Sequence, residues 1–462
     1  MTTPAAFAHG TKFFFCGIGG AGMNPLAHLL ARRGMLVSGS DRVEQDTLAA
    51  LRTAGIRCDV GHAAAQVAGA QIFVYSSAIA RDNPEYVRAR ASGLRCMHRA
   101  EVLAALLNAS RGVTIAGTHG KTTTSSLTAV IFAAAGFDPT AVIGGYVPEF
   151  SAYYRAGAGP WMVIETDESD GSFLRFTPEI AVALNIDADH LDYYRSIDDI
   201  AAAFRQHLSQ TRPDGAIICN ADDARLLSVV QSLGTAARVV TCALDHPADF
   251  TARDLTLQPW SSAFSVVERG RAAYPVTLGA PGRHNVGNAL AAIAAARTAG
   301  AEIPAIQSAC AAFHGAHRRF QVLGTFRGAT VISDYAHHPR EIAAVLAMAA
   351  RLGAPVITVF QPHRYTRTAH LLDEFVEVLR QPERLILTDI YSAGEMPGDV
   401  SGETLYRRVT AQRNHVAYVP DLRDIPAALE PIVHAGDVLL FLGAGTIAEV
   451  ARRVTQQSKE TP

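Results

Sequence analysis

The segment RGVTIAGTHGKTTTSSLTAVIFAAA, residues 111–135, decides the fold. It begins with an apolar strand at about 112–116 and enters a helix that we predict over 122–135. The loop between them contains Gly117, Thr118, His119, Gly120, Lys121, Thr122 and Thr123. It is shorter than the usual GxxxxGK[ST] loop, but the GK[ST] end is intact. Such loops hold ATP phosphates with backbone N–H groups, a lysine on the β/γ oxygens and a hydroxyl on Mg²⁺. The pattern predicts an α/β domain that binds ATP.

The lysine of this loop is unusual in this chain. Of 41 basic residues only Lys12, Lys121 and Lys459 are lysines, and the others are arginines. Codon usage explains a general preference for arginine. A lysine kept in mid-chain nevertheless indicates a position where a compact ammonium is needed and a planar guanidinium does not serve. The alternative is chance placement in a loop.

Composition limits the remaining possibilities. A chain of 462 residues predicts about three domains. The apolar content of 49% and charged content of 18% exclude disorder as the main state, and a net charge of −2 argues against a nucleic-acid-binding protein. The six scattered cysteines form no disulfide or zinc pattern. We find neither a signal-peptide pattern nor an apolar run long enough to span a membrane, so we expect a cytoplasmic protein.

Strand-like and helix-like stretches alternate almost throughout, which predicts βαβ units and parallel sheets. We predict strands at about 12–16, 36–39, 72–75, 112–116, 162–165, 180–184, 216–219, 330–333, 356–360, 385–389, 416–419 and 438–442. We predict helices at 24–33, 122–135, 197–210, 285–299 and 339–352. Linkers are expected near 108–112 and 315–325, and a small antiparallel patch within 235–280.

A second glycine loop follows the first strand. Its residues are Gly17, Ile18, Gly19, Gly20, Ala21, Gly22 and Met23, and they fit GxGxxG. The glycines allow a tight turn, and the following helix N-terminus favours an anionic phosphate. Asp41, at the end of the next strand, could meet a ribose hydroxyl. The motif does not separate NAD from another diphosphate, and a tight turn without a ligand is the alternative.

Acidic residues follow two further strands of the predicted middle domain. Glu165 ends one of them, where a carboxylate near a phosphate loop can hold Mg²⁺. His190 follows the next and is a candidate ligand of a second metal ion, with Asp189 orienting it. The alternatives are a solvated acidic turn and a structural histidine.

Nine motifs in order along nearly the whole chain resemble those of the Mur ligases of peptidoglycan synthesis. They are GIGGAGM at 17–23, AGTHGKTTT at 116–124, ETDESDGSFL at 165–174, NIDADHLD at 185–192, GRHNVGNALAA at 282–292, HRRFQ at 317–321, DYAHHPREI at 334–342, QPHRYTRT at 361–368 and YSAGEMP at 391–397. The resemblance is strongest to the alanine-adding branch. It implies an α/β protein of three domains: a Rossmann-like UDP-sugar domain at 1–109, a P-loop ATPase domain with a mainly parallel sheet at 110–321, and a Rossmann-like amino-acid domain at 322–462.

The resemblance also implies a reaction. ATP would phosphorylate the carboxylate of UDP-N-acetylmuramate, and the amine of L-alanine would attack the acyl phosphate, giving ADP and phosphate. The implied cofactor is Mg²⁺, with Mn²⁺ as a substitute, and the implied assembly is a monomer or homodimer without nucleic acid or a membrane span. In this frame the diphosphate at the N-terminal glycine loop belongs to UDP.

By resemblance, individual residues acquire roles. Lys121 and Thr122 hold phosphate and metal, and Glu165 and His190 serve the metal sites. His284, Asn285 and Asn288 are the implied adenine contacts. Arg319 is the implied contact of the γ-phosphate, and Asp334 that of the ATP ribose. His338, Arg364 and Arg367 are implied to bind the alanine carboxylate and to line the reacting centre. Helix capping by Asn285 and a solvated pair of Arg364 and Arg367 are the alternatives.

Three other functions remain open at this stage. A recycling ligase would attach a tripeptide to the same UDP-sugar. A nucleotide sensor would keep the fold without ligation, and an NAD-dependent dehydrogenase would use only the N-terminal glycine loop. Many Mur ligases carry a carbamylated lysine between their metals, but this chain has no lysine between Lys121 and Lys459, as the resemblance to the alanine-adding branch implies.

Overall fold

Three separate β-sheets follow one another along the chain, and each is flanked by helices. The computed structural model describes residues 6–189 and 193–460, the last four without their side chains. Within these ranges no helix is both long and apolar enough to cross a membrane. The predicted α/β class with three mainly parallel sheets is confirmed. The exact domain boundaries stay predictions.

The first sheet is parallel throughout, in the order β3-β2-β1-β4-β5. Its strands are β1 (Lys12–Cys16), β2 (Leu36–Asp41), β3 (Arg57–Val60), β4 (Ile72–Tyr75) and β5 (Arg95–His98). Its helices are α1 (Asn24–Arg32), α2 (Asp46–Thr53), α3 (Pro84–Ala91) and α4 (Arg99–Asn108), with a 3₁₀ turn at Ala64–Val67. Three consecutive phenylalanines of β1 are buried, as expected for a central strand covered on both faces. The chain order reverses between β1 and β4, where ligands of such sheets bind.

The middle sheet has ten strands, in the order β15-β14-β13-β12-β11-β10-β6-β9-β7-β8. Its strands are β6 (Arg111–Ala116), β7 (Thr140–Val147), β8 (Ala152–Arg155), β9 (Trp161–Glu165), β10 (Ile180–Ala183), β11 (Ala216–Asn220), β12 (Arg238–Ala243), β13 (Phe250–Leu257), β14 (Ser262–Glu268) and β15 (Tyr274–Leu278). Its helices are α5 (Lys121–Ala134), α6 (Ile197–Ser209), α7 (Ala224–Gln231), α8 (Arg283–Ala299) and α9 (Ile303–Ala312), with 3₁₀ turns at Pro148–Phe150 and Ser172–Arg175. Strands β13–β15 pair antiparallel, so the predicted antiparallel patch is present. The β7–β8 hairpin was not predicted.

The last sheet has six strands, in the order β16-β17-β21-β18-β19-β20, and only β16 runs antiparallel to its neighbour. Its strands are β16 (Gln321–Phe326), β17 (Ala329–Asp334), β18 (Val356–Phe360), β19 (Arg384–Leu387), β20 (Val416–Tyr418) and β21 (Val438–Leu442). Its helices are α10 (Pro339–Ala349), α11 (Tyr365–His370), α12 (Leu372–Val378), α13 (Gly402–Thr410), α14 (Ile425–Leu429) and α15 (Ile447–Glu460), with a 3₁₀ turn at Ala350–Leu352. The loops after β17 and β18 face the middle sheet and bring side chains to its phosphate loop.

Candidate active site

The phosphate loop joins the end of β6 to the start of α5, as predicted. Gly120 has a φ of +85°, and a Cβ atom there would lie 2.4 Å from Asn288 Oδ1. Glycine is therefore required both for the backbone conformation and for the close approach of α8. The loop leads into the N-terminus of a 14-residue helix, where the helix dipole favours an anion.

The ammonium group of Lys121 lies inside this loop. Its Nζ donates to Gly117 O at 2.6 Å and to Glu168 Oε1 at 2.7 Å. Burial disfavours the charged form, but the neighbouring carboxylate of Glu168 outweighs it and raises the pKa of Lys121. The ammonium is therefore charged at neutral pH. The sequence left the acid that pairs with Lys121 undetermined, and the structure identifies it as Glu168.

Glu165 and Thr122 lie together beside the loop. The Thr122 hydroxyl donates to Glu165 Oε1 at 3.0 Å, and the backbone N–H of Gly144 donates to Glu165 Oε2 at 2.8 Å. Arg319 Nη2 donates to the same hydroxyl at 3.4 Å. A hydroxyl and a carboxylate are donors that Mg²⁺ accepts. His190, the other predicted metal ligand, lies outside the described residues.

A cavity of about 340 Å³ opens next to the loop, between the middle and last sheets. His284, Asn285 and Asn288 line it from the start of α8, while Leu290, Val345 and Met348 are among its apolar walls. Asn285 Nδ2 donates to Pro281 O at 2.6 Å and its Oδ1 accepts from Asn288, so Asn285 braces the first turn of α8. A concave apolar site with a few polar groups suits a planar heterocycle.

A second cavity, of about 650 Å³, lies on the other side of the phosphate loop. Its cationic lining includes Lys121, Arg319, Arg364 and Arg367. Arg319 lines both cavities and therefore stands where they meet. Arg364 has a φ of +71°, a conformation that costs a non-glycine residue about 1–3 kcal/mol.

The last sheet closes on the phosphate loop through ionic contacts. His119 donates to Asp187 Oδ2 through Nε2 and to Glu341 Oε1 through Nδ1, both at 3.1 Å. Burial opposes protonation of His119, but these two carboxylates outweigh it and raise its pKa to about 9. Arg340 Nε also lies 3.1 Å from Asp187 Oδ2. The phosphate loop and α10 are thus joined by charged groups that span two domains.

Several predicted site residues make contacts that the sequence did not indicate. Arg367 is 7% exposed, and its guanidinium forms a forked ion pair with Asp189, from Nη2 at 2.9 and 3.1 Å and from Nε at 3.1 Å. The carboxylate of Asp334 accepts the N–H groups of Phe320 and Ala336, both at 2.7 Å. Asp334 therefore fixes the hinge that leads into the last sheet, as well as lining the smaller cavity.

The two histidines of the DYAHHPREI motif differ in position. His337 lines the larger cavity, whereas His338 caps the N-terminus of α10 and accepts the N–H of Arg340 through Nδ1 at 3.4 Å. The His338 Nε2 is buried without a hydrogen-bond partner among the described residues, and its ring centre lies 4.6 Å from that of His119. Because Nδ1 accepts, Nε2 carries a proton that faces the closing contact between the two domains.

The N-terminal glycine loop adopts the turn that its sequence predicts. The N–H groups of Gly17 and Ile18 donate to Ser40 O at 2.8 and 2.9 Å, and Gly17 has a φ of +79°. Asp41 Oδ2 accepts the N–H of Gly19 at 2.9 Å. The Asp41 side chain therefore fixes the loop in addition to any contact with a ribose.

Sequence reasoning did not single out several residues that the structure places at this site, among them two counter-ions and two cavity-lining side chains. Glu168 and Glu341 are the counter-ions of Lys121 and His119, and Tyr335 and His363 line the larger cavity. All four lie inside motifs that the sequence analysis had already quoted. Their positions beside predicted residues were the available signal.

Three family models match consecutive parts of the chain. The Mur ligase family catalytic domain matches residues 12–111, the Mur ligase middle domain residues 115–296, and the Mur ligase glutamate ligase domain residues 318–445. Among solved structures, the UDP-N-acetylmuramate-alanine ligase of Thermotoga maritima superposes with a TM-score of 0.82 at 27% identity, covering 98% of this chain and 100% of the other. A murein peptide ligase of Psychrobacter arcticus superposes with a TM-score of 0.73 at 24% identity, over 97% and 98%, and shows the fold alone.

Full-length relatives agree with these matches. A protein of Acidithiobacillus ferrooxidans named UDP-N-acetylmuramate–L-alanine ligase is 45% identical over 455 residues, which cover 96% of this chain and 97% of the relative. A protein of the same name from Sorangium cellulosum is 42% identical over 447 residues, covering 95% and 94%. With three consecutive domain matches and this identity over nearly its whole length, the chain belongs to the Mur ligase family.

Proposed function

We propose that this protein joins L-alanine to UDP-N-acetylmuramate, with cleavage of ATP to ADP and phosphate, in the synthesis of peptidoglycan precursors. The observation that carries the proposal is the meeting of two cavities at Arg319, beside Lys121 and Thr122. Relatives that are 42–45% identical over nearly the full chain have this activity in their names.

The smaller cavity is the proposed site of the ATP base and ribose. Its apolar walls suit a purine ring, and His284, Asn285, Asn288 and Asp334 supply its polar groups. The phosphates then extend along the loop of residues 117–123 to the N-terminus of α5. Lys121 meets the β and γ oxygens in exchange for part of its contact with Glu168, and Arg319 meets the γ-phosphate.

We propose Mg²⁺ as the cofactor, with Mn²⁺ as a substitute, held by Thr122 and Glu165. The donor set fits, because a hydroxyl and a carboxylate oxygen lie 3.0 Å apart beside the phosphate loop. His190 is the proposed ligand of a second ion. When bound, Mg²⁺ neutralises charge on the phosphate oxygens during transfer.

The larger cavity is the proposed reacting centre. A carboxylate oxygen of UDP-N-acetylmuramate attacks the γ-phosphorus, ADP leaves, and an acyl phosphate forms. The amine of alanine then attacks the acyl carbon, loses a proton, and phosphate leaves. Lys121, Arg319 and Arg364 reduce the repulsion among the anions that meet there.

The amino-acid end of the reaction is proposed for the loops after β17 and β18. Arg364 is the proposed partner of the alanine carboxylate. Arg367 is already paired with Asp189, so its proposed role is to hold that loop in place as well as to contact the substrate. His338, whose ring centre lies 4.6 Å from that of His119, is proposed to orient the reacting centre.

The N-terminal glycine loop is the proposed diphosphate site of the UDP-sugar. A dehydrogenase would also use such a loop, but it would leave the second phosphate loop and both cavities without a role. We therefore propose the division into UDP-sugar, ATP and amino-acid domains at 1–109, 110–321 and 322–462. Because both nucleotide substrates are intracellular compounds, we propose the cytoplasm as the location, with a monomer or homodimer as the active form.

The proposal is tested by mixing the full-length protein with ATP, Mg²⁺, UDP-N-acetylmuramate and either L-alanine or the tripeptide. We expect ADP and phosphate release, and a UDP-N-acetylmuramoyl-alanine product, with alanine. Turnover with the tripeptide alone would indicate the recycling ligase. No phosphate release with either acceptor would indicate a nucleotide sensor that has lost ligation.

A further inference from the structure

A cluster of metal-ligand side chains lies in the first sheet, on residues to which the proposed reaction gives no role. Cys16 is the last residue of β1, His62 follows β3, and Glu85 stands in the first turn of α3. Cys16 and Glu85 are fully buried, and the His62 side chain is 18% exposed. The chain therefore brings a thiol, an imidazole and a carboxylate together from three segments.

The separations of the ligand atoms match those around a tetrahedral ion. Cys16 Sγ lies 3.8 Å from His62 Nδ1, which lies 3.0 Å from Glu85 Oε2, and all three atoms are within 4.8 Å of one another. With Zn–S near 2.3 Å and Zn–N and Zn–O near 2.0–2.2 Å, neighbouring ligands of zinc are separated by about 3.3–3.6 Å. The two separations that involve His62 Nδ1 are therefore within about half an ångström of those expected around zinc.

Charge and hydrogen bonding are consistent with a cation at this point. The Ser40 hydroxyl donates to Glu85 Oε2 at 2.7 Å and also lies 3.0 Å from His62 Nδ1. Four atoms that could each bind a metal ion therefore lie close together. One imidazole nitrogen carries at most one proton and can satisfy only one of its three neighbours. A divalent ion, one thiolate and one carboxylate together are neutral, which lowers the cost of burying the carboxylate.

We propose that Cys16, His62 and Glu85 bind a thiophilic divalent metal ion of the zinc type, with Ser40 or a water as the fourth ligand. Binding replaces the Cys16 S–H proton, which leaves to solvent, and shifts the His62 proton from Nδ1 to Nε2. The sulfur and nitrogen ligands select zinc over Mg²⁺, which prefers oxygen. None of the three proposed ligands has a role in the proposed ligase reaction, although Cys16 directly precedes the N-terminal glycine loop and Ser40 O accepts the N–H groups of Gly17 and Ile18.

Cobalt(II) is the probe, because a cobalt–thiolate bond gives a charge-transfer band in the near ultraviolet. Within the described residues the other cluster of this kind consists of His119, Asp187 and His338 and contains no sulfur, so cobalt there gives no such band. We expect the full-length protein to show the band at one equivalent of cobalt and to lose it when zinc is added. Absence of the band in the wild-type protein would overturn the proposal.

Substitutions of the proposed ligands, together with the number of protons released on zinc binding, identify which side chains bind the metal ion. Cys16→Val should abolish the band, whereas Cys58→Val, at a buried cysteine of strand β3 in the same sheet, should keep it. A band that survives in Cys16→Val would contradict the assignment. If Cys16→Val does not fold, the partly exposed His62 is replaced instead, and His62→Gln should weaken cobalt binding at least tenfold. Unchanged affinity in His62→Gln, or zinc binding to the wild type without release of about one proton, would also overturn it.

Discussion

The Lys121 side chain is held in position by hydrogen bonds and keeps its positive charge at neutral pH. Its ammonium is held by Gly117 O and Glu168, and Glu168 raises its pKa. We expect arginine to be unsuitable here, because its planar guanidinium is larger than a compact ammonium and carries its charge over a fork of donors. This expectation accounts for the single mid-chain lysine of an arginine-rich chain.

We predict that Lys121→Arg lowers kcat by about 100-fold, the scale of losing one donor that stabilises a transition state. Phosphate release under saturating substrates measures this change. Lys12→Arg is the matched control, since Lys12 is exposed at the start of β1, and it should keep wild-type turnover with an unchanged Tm. Wild-type turnover in Lys121→Arg would remove the role assigned to the ammonium.

Asp334 gives a second prediction at the scale of a residue, this time for stability. Its two carboxylate oxygens accept the N–H groups of Phe320 and Ala336 in a buried position. Asp334→Asn places an NH₂ donor against one of these N–H donors, so we expect a loss of about 1–3 kcal/mol in the free energy of unfolding. Urea denaturation measures it, and Asp198→Asn, at an exposed carboxylate, is the control. Equal stability of both variants would refute the bracing role.

Sequence motifs point to the residues inside them more readily than to the side chains that pair with those residues. Lys121, Glu165 and Arg319 were predicted as site residues because their neighbours in sequence define a motif. The ion pairs of Lys121 with Glu168 and of Arg367 with Asp189 were not, because pairing depends on which of several nearby acids the fold turns inward. Position 190 lies outside the described residues, so its metal role stays a prediction.

Among the elements, the contact between the phosphate loop and α10 has the clearest consequence. His119 carries its charge between Asp187 and Glu341, on opposite sides of a domain boundary. The pKa of His119 is raised from 6.5 to about 9, so protonation favours the folded and closed form. This contribution is complete below pH 6.5 and is lost as the pH rises through 9.

We therefore predict that His119→Gln lowers Tm at pH 6 and that the difference from wild type shrinks as the pH approaches 9. Thermal unfolding followed across this range measures the difference. His246→Gln is the control, because His246 is an exposed histidine within the middle domain that also pairs with an aspartate. A difference that stays constant from pH 6 to 9 would show that the charge on His119 does not hold the contact.

The elements themselves were predicted unevenly. Strands such as 12–16 and 356–360 and the helix after the phosphate loop were placed closely, because apolar runs bounded by glycine or proline give a strong signal. The β7 strand was missed because Gly144 and Gly145 interrupt its pattern. Those same glycines allow β7 to approach Glu165 and Thr122 closely. The residues that bring the strand to the site are therefore also the ones that weaken its strand pattern in the sequence.

For the whole molecule, the buried pair of Arg367 and Asp189 joins the last domain to the middle one. Removing one partner of a buried ion pair costs about 3–5 kcal/mol. We predict that Arg367→Gln shifts the protein toward an open arrangement, with a larger radius of gyration by small-angle X-ray scattering. Arg380→Gln, at an exposed pair with Glu377, should leave the radius unchanged. Equal radii for Arg367→Gln and wild type would mean that the pair does not control closure.

The three-domain architecture could be predicted from the chain length and the alternating strands and helices. The contact of the last domain with the phosphate loop could not. Whether the loops after β17 and β18 meet the phosphate loop depends on ionic contacts between distant segments, such as Arg340 with Asp187. Sequence periodicity describes each sheet separately and carries no information about their mutual packing.

The transfer of a labelled oxygen atom tests the acyl-phosphate reaction most directly. UDP-N-acetylmuramate whose lactyl carboxylate carries heavy oxygen is incubated with the protein, ATP, Mg²⁺ and L-alanine, and the released phosphate is examined by mass spectrometry. The reaction proposed here transfers one labelled oxygen to each phosphate, because that oxygen forms the bond to the γ-phosphorus. Release of unlabelled phosphate together with the alanyl product would contradict it.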